Sequence, residues 1–171
     1  MSSRADRRKW DAPEGLTVDG VLGPDGALSA AMAGYEHRPT QLQMARAVAH
    51  ALEEKRFLLA EAGTGTGKTL AYLVPAVLSG KRVLISTGTR TLQDQIFYKD
   101  LPALSSALGV PIKAAYMKGR TNYLCLHRFE RLQEAAAGLP ATEREWLERL
   151  KDWAPASETG DRSEIEDLPD D

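Results

Sequence analysis

The sequence predicts an α/β protein built on a doubly wound parallel sheet, and three observations carry that expectation. Helical and strand-like segments alternate as αβαβαβ through the first two thirds of the chain, with connections of crossover length. One strand candidate holds Val83, Leu84 and Ile85 in succession, an uninterrupted apolar run that suits a strand covered on both faces. A glycine-rich loop, Ala62-Gly63-Thr64-Gly65-Thr66-Gly67-Lys68-Thr69, stands between a short apolar run and a helical pattern.

Residues 1–34 read as a loop-rich N-terminal segment, because Pro13, Gly15, Gly20, Gly23, Pro24, Gly26 and Gly34 leave room only for a helical turn near Leu28 to Met32. A helix follows Pro39, with Leu42, Ala45, Val48, Ala49 and Leu52 at helical spacing. Strand one is Arg56 to Glu61. The helix Lys68 to Leu78 carries Pro75 inside it, which removes one hydrogen bond and bends the axis, and Gly80 closes it. Strand two is Arg82 to Ser86. Helices over Arg90 to Tyr98 and Leu101 to Leu108 lead to strand three, Ile112 to Tyr116. After Gly119 the chain turns helical, with elements expected over Tyr123 to Ala137 and Glu143 to Trp153, and it ends in acidic residues. This divides the chain into segments 1–34, 35–119 and 120–171.

The chain has 171 residues, enough for one domain with a real core. It is 43% hydrophobic and 27% charged, an ordinary balance for a soluble protein. No apolar run approaches the roughly 18 residues that span a bilayer. The basic start, Met1 to Lys9, is followed by no apolar stretch, so it reads as neither signal nor anchor. The expected location is the cytoplasm, with no membrane partner. Cys125 is the sole cysteine, which precludes an internal disulfide, and the three histidines (His37, His50, His127) are scattered without metal spacing. The chain carries −2 overall and residues 154–171 carry −6, so the remainder carries +4. That mildly basic body permits nucleic-acid contact, and the tail reads as a solvated end.

The chemistry of the 62–69 loop is that of a phosphate grip. Glycines let the backbone curl so that successive N–H groups face phosphate oxygens, and the new helix adds the positive end of its dipole. Lys68 brings a full charge to the β and γ phosphates, and the Thr69 hydroxyl is placed for Mg²⁺. The expected nucleotide contacts are therefore Ala62, Gly63, Thr64, Gly65, Thr66, Gly67, Lys68 and Thr69, with Lys68 and Thr69 as the catalytic pair. The strict P-loop pattern opens with Gly, and Ala62 stands there instead.

Three further strings stand out. In Arg38-Pro39-Thr40-Gln41, the Gln41 amide offers a donor and an acceptor together, the pair that reads an adenine edge; a polar cap on an amphipathic helix is the plainer alternative. Ser86 to Gln95 places Thr87, Thr89, Arg90 and Thr91 at a strand end and helix start, a surface fit for phosphate or simply a well-capped helix. In Met117-Lys118-Gly119-Arg120-Thr121-Asn122-Tyr123-Leu124-Cys125, a single cysteine near a helix start is by itself an ordinary core residue.

Taken together and in order, from about Leu22 onward, these strings resemble the DinG/YoaA-type, XPD-like superfamily 2 iron–sulfur DNA helicases. Gly23-Pro24-Asp25-Gly26-Ala27-Leu28 and Tyr35-Glu36-His37-Arg38-Pro39 belong to the likeness, and Ala-x-x-Gly-x-Gly-Lys-Thr resembles the helicase form of the loop. The resemblance implies the first RecA-like, P-loop NTPase domain over residues 35–119, in part, and the beginning of an iron–sulfur insertion over 120–171. It implies ATP and Mg²⁺ as cofactors, with Arg38 and Gln41 at the adenine. It also implies single-stranded DNA at Thr87, Thr89, Arg90 and Thr91, and 5′–3′ translocation. Cys125 would be one of four ligands to a [4Fe–4S] cluster that only the full-length parent assembles. That parent is expected to be a monomer meeting replication or repair proteins.

The family's Asp-Glu-Ala-His box, second motor domain and three further cluster cysteines lie outside this sequence. The expectation is an N-terminal piece with negligible turnover of its own. Two other readings remain at this point: a free-standing module that binds ATP without hydrolysing it, and a small P-loop kinase. The kinase reading gives no reason for the Lys118–Cys125 string.

Overall fold

The computed structural model describes residues 15–165 and Leu168. The basic start and the tail acids Glu166, Asp167, Asp170 and Asp171 lie outside the described residues. The chain divides into two compact units, residues 1–115 and 116–171.

The doubly wound parallel sheet is not formed: among the described residues there is no strand and no sheet. The three predicted strands, Arg56 to Glu61, Arg82 to Ser86 and Ile112 to Tyr116, carry no regular structure. Phe57, Leu59 and Leu84 are 105%, 101% and 95% exposed, although only burial would favour residues of this kind. The physical reason is cooperativity. An apolar run becomes a strand only when neighbours exchange backbone hydrogen bonds with it, and a parallel sheet needs both faces covered. Here the apolar helix faces pack on one another, so the runs have no ladder, and only single residues of the second and third, Ile85 and Ile112, reach the core.

Unit 1 is therefore a helical cluster. It contains α1 (Val18–Leu22), α2 (Ala27–Ala31), α3 (Pro39–Glu54), α4 (Lys68–Leu78), α5 (Arg90–Gln95) and α6 (Leu101–Leu108). Val21, Leu22, Leu28, Leu42, Ala45, Ala71, Leu73, Val74, Ile96, Leu104 and Leu108 form its core. Each fully buried leucine among them contributes about 2–3 kcal/mol relative to an exposed one. The stretch read as loop thus supplies core: the Thr17 hydroxyl caps α1 by accepting from the Gly20 N–H at 3.0 Å, and Leu22 and Leu28 are fully buried. Between α5 and α6, Ile96–Asp100 forms a π-helical turn that buries Ile96. Pro39 opens α3, where its missing N–H costs nothing. Pro75 is buried inside α4.

Unit 2 holds α7 (Leu126–Glu134) and α8 (Ala141–Ala156), with short 3₁₀ turns at Arg120–Asn122, Ala136–Gly138 and Arg162–Glu164. α8 buries Leu147. A single antiparallel bridge joins Tyr123 to Asp161. The described part of the acidic tail is folded back through this bridge.

Candidate nucleotide site

The 62–69 loop runs directly into α4, and its last glycine is fixed by two independent demands. Gly67 sits at φ +77°, in the left-handed region. A Cβ placed there would stand 2.1 Å from Gln41 Nε2. Gly65 shares the left-handed backbone (φ +77°), but space around it is open, and Gly63 meets neither constraint.

The loop's carbonyl oxygens are held from the protein side. Lys68 Nζ donates to the carbonyls of Ala62 at 2.8 Å and Gly63 at 2.5 Å. The Thr66 hydroxyl donates to Gly63 O at 2.9 Å, Gln41 Nε2 to Gly67 O at 2.9 Å, and the Arg38 guanidinium to Gly65 O. With these acceptors engaged, the N–H groups of Gly63 to Thr69 donate to no other backbone group among the described residues. The result is a curl of donors at a helix N-terminus, an arrangement that takes an anion.

Gln41 is 4% exposed and doubly bonded: besides its bond to Gly67, its Oε1 accepts from the Tyr35 hydroxyl at 3.3 Å. The single Tyr35 proton is shared between that oxygen and Leu22 O, 3.1 Å away, so the loop is tied through Gln41 and Tyr35 to the end of α1. His37 Nδ1 meets the same carbonyl at 2.9 Å. Burial pushes the Tyr35 phenol above its ordinary range, with Arg38 opposing, so it stays a neutral donor. Arg38 is exposed and also pairs with Glu36 at 3.2 Å. The Tyr72 phenol is raised chiefly by burial, with the neighbouring Thr69 hydroxyl opposing and the charge of Asp100 adding to it.

Thr87, Thr89, Arg90 and Thr91 come together at the start of α5. The Thr89 hydroxyl accepts from the Leu92 N–H at 3.2 Å as an N-cap, and the Thr87 hydroxyl donates to Thr89 O at 3.1 Å. Arg90 and Thr91 are exposed. Cys125 is exposed at the N-cap of α7. No group of three or more His, Cys, Asp or Glu among the described residues is placed to hold a metal ion, so the residues present do not make a cluster holder. No helix among the described residues is long and apolar enough to cross a membrane. A groove of about 420 Å³, lined by Phe97, Tyr98, Leu101 and Ile112 among others, shares no residue with the loop.

Reasoning on the sequence missed Tyr35 as a site residue. The signal was available in the spacing Tyr35-x-x-Arg38-x-x-Gln41, which puts three polar groups on the approach to one helix.

A glycine-rich loop of this sequence at a helix N-terminus, ending in Lys68-Thr69, defines a P-loop protein. The chain belongs to the DEAD/DEAH box helicase family, whose profile matches residues 39–152. It is 43% identical over 155 residues to the ATP-dependent DNA helicase YoaA of Haemophilus influenzae, covering 90% of this chain and 24% of the relative. It is 46% identical over 140 residues to the Escherichia coli YoaA, covering 82% and 22%, respectively. The 3′–5′ exonuclease DinG of Bacillus subtilis is 40% identical over 148 residues, covering 84% of this chain and 16% of the relative. The chain thus spans a quarter or less of the length of these relatives. No solved structure gives a significant match.

Proposed function

We propose that this chain is the ATP-binding part of an ATP-dependent 5′–3′ DNA helicase that works on single-stranded DNA in the cytoplasm. The observation that carries the reading is the capture of the Ala62, Gly63, Gly65 and Gly67 carbonyls by Lys68, Thr66, Arg38 and Gln41. It leaves the loop's N–H groups for a phosphate. ATP fits this donor set. Lys68 pairs with no carboxylate among the described residues, so its charge is available to the β and γ phosphates. Mg²⁺ would arrive with the nucleotide and take the Thr69 hydroxyl as a protein ligand, supplying charge to the phosphates. An adenine would meet the second amide hydrogen and second lone pair of Gln41, which its bonds to Gly67 and Tyr35 leave unused. Arg38 flanks that amide.

The helicase assignment, with residues 35–119 as the ATP-binding domain, rests on the family and on relatives named as DNA helicases. In it, Thr87, Thr89, Arg90 and Thr91 meet the DNA backbone. Residues 120–171 begin an insertion in which Cys125 supplies one ligand of a [4Fe–4S] cluster, the other ligands coming from outside these residues. Turnover by these 171 residues alone is negligible.

The test is equilibrium binding of a fluorescent ATP analogue with Mg²⁺, competed by inorganic triphosphate. The reading predicts saturable binding that triphosphate displaces, since the grip is on phosphates. Binding that adenosine displaces and triphosphate does not would contradict it.

A further inference from the structure

We propose that a buried ion pair, Lys118–Asp161, is a clasp that presets the position of Cys125. Lys118 Nζ lies 2.7 Å from Asp161 Oδ2, and the two side chains are only 7% and 9% exposed. Buried charges persist only when paired and hydrogen-bonded on every side, and here they are. Asp161 Oδ1 accepts from the Ser163 N–H and hydroxyl, both at 2.9 Å. Lys118 Nζ also reaches Ser163 Oγ at 2.9 Å and stands 5.3 Å from the centre of the Tyr116 ring.

The clasp joins two segments far apart in sequence, and Cys125 follows directly from one of them. Tyr123 bridges to Asp161, the Leu124 N–H donates to Gly160 O at 2.8 Å, and the Tyr123 hydroxyl accepts from the Lys118 N–H at 2.7 Å. On the other side of Cys125, its carbonyl accepts from the Phe129 N–H at 2.9 Å and opens α7. The partner turn is itself braced: Ser157 Oγ donates to Glu164 at 2.6 Å and accepts from Gly160 N–H at 2.7 Å. The segment around the thiol is thus fixed on both flanks by this chain's own groups. α7 and α8 form an excursion closed at its neck. An unpaired buried charge is costly, so the neck forms as a unit or not at all.

The chain's sole cysteine makes the test direct. A nitroxide on Cys125 is expected to give an immobilised spectrum in the 171-residue chain. Asp161→Asn and Lys118→Met should each mobilise it and speed amide exchange at Leu124 and Ser163 on the order of 100-fold. The milder Ser163→Ala should do so about 10-fold, and the double variant should be no worse than the worse single. A nitroxide on α8, at Glu148→Cys in a Cys125→Ser background, should not change, and exchange at Ala45 in unit 1 should stay constant as the folding control. An unchanged Cys125 spectrum in all three single variants overturns the proposal. So does equal mobilisation of the α8 label, which would make the pair a general support of the unit.

Discussion

Two lysines, one in each unit, set the phosphate loop and the clasp apart. Lys68 and Lys118 both have their amines within 2.5–2.9 Å of oxygen atoms. Lys68 rests on two neutral carbonyls of its own loop, half-buried, with its charge uncancelled. Lys118 is buried against a carboxylate that neutralises it. A lysine whose charge is spent inside the fold holds structure, whereas one parked on carbonyls keeps its charge for an incoming anion. The difference explains why the two sites should answer differently to substitution, acid and nucleotide.

The comparison breaks most sharply at Asp161→Asn. Leaving the Lys118 charge buried without a partner should cost the neck about 3 kcal/mol, read as lost protection at Leu124 and Ser163 while α8, α3 and α4 stay protected. Next in size, Gly67→Ala forces a left-handed alanine and drives a methyl into Gln41. Strain of about 1–2 kcal/mol plus the lost Gln41 bond should weaken nucleotide binding at least tenfold, by fluorescence titration. Gly63→Ala, with no left-handed backbone and no protein atom near the added methyl, should leave amide protection in α4 unchanged and serves as the structural contrast. Tyr35→Phe removes the hydroxyl shared by Leu22 O and Gln41, and about 1 kcal/mol of loop order should go with it, a few-fold loss in affinity.

Acid should separate the units with the smallest effect at neutral pH. For Asp161, burial raises the carboxyl, but Lys118 and Ser163 outweigh it and hold it below the usual 3.8. Its stabilisation is complete above that value and lost as pH falls through the depressed one. For Lys118, burial lowers the amine, yet Asp161 and Tyr116 carry it above 10.5. Its contribution is complete below that value and lost as pH rises through the raised one. Neither window reaches neutrality, so exchange protection at Leu124, corrected for intrinsic rates, should stay flat from about pH 5 to 9 and fall below about pH 4. The raised phenol of Tyr35 belongs to unit 1 and titrates above this range.

What the sequence disclosed was local. The sequence predicts a helix just after Pro39 and α3 begins one residue earlier, at Pro39 itself, Lys68–Leu78 is a helix with the expected bounds, and Leu101–Leu108 is another, because capping and spacing act over a few residues. α1 was hidden because Gly20 and Gly23 read as breakers, yet Gly20 sits inside the helix under the Thr17 cap. The expected sheet is absent among the described residues for the opposite reason. Phe57-Leu58-Leu59 and Val83-Leu84 have strand composition, but pairing is non-local and composition does not supply the neighbour. Non-locality also concealed the clasp, since seven acids near the end suggest a solvated tail and say nothing of Lys118. In the loop, the glycine curl opening into α4 was legible from Gly-x-Gly-Lys-Thr, whereas Gln41 as its brace needed the 2.9 Å bond to Gly67.

The central claim is that the Lys68 charge is held for a nucleotide. Isothermal titration of a non-hydrolysable ATP analogue with Mg²⁺ into wild type and Lys68→Ala tests it most directly. A lost charge-assisted contact of about 1.5–3 kcal/mol predicts affinity reduced roughly 10- to 100-fold in the variant, with exchange protection of unit 2 unchanged. Equal affinity in the two proteins would contradict the account.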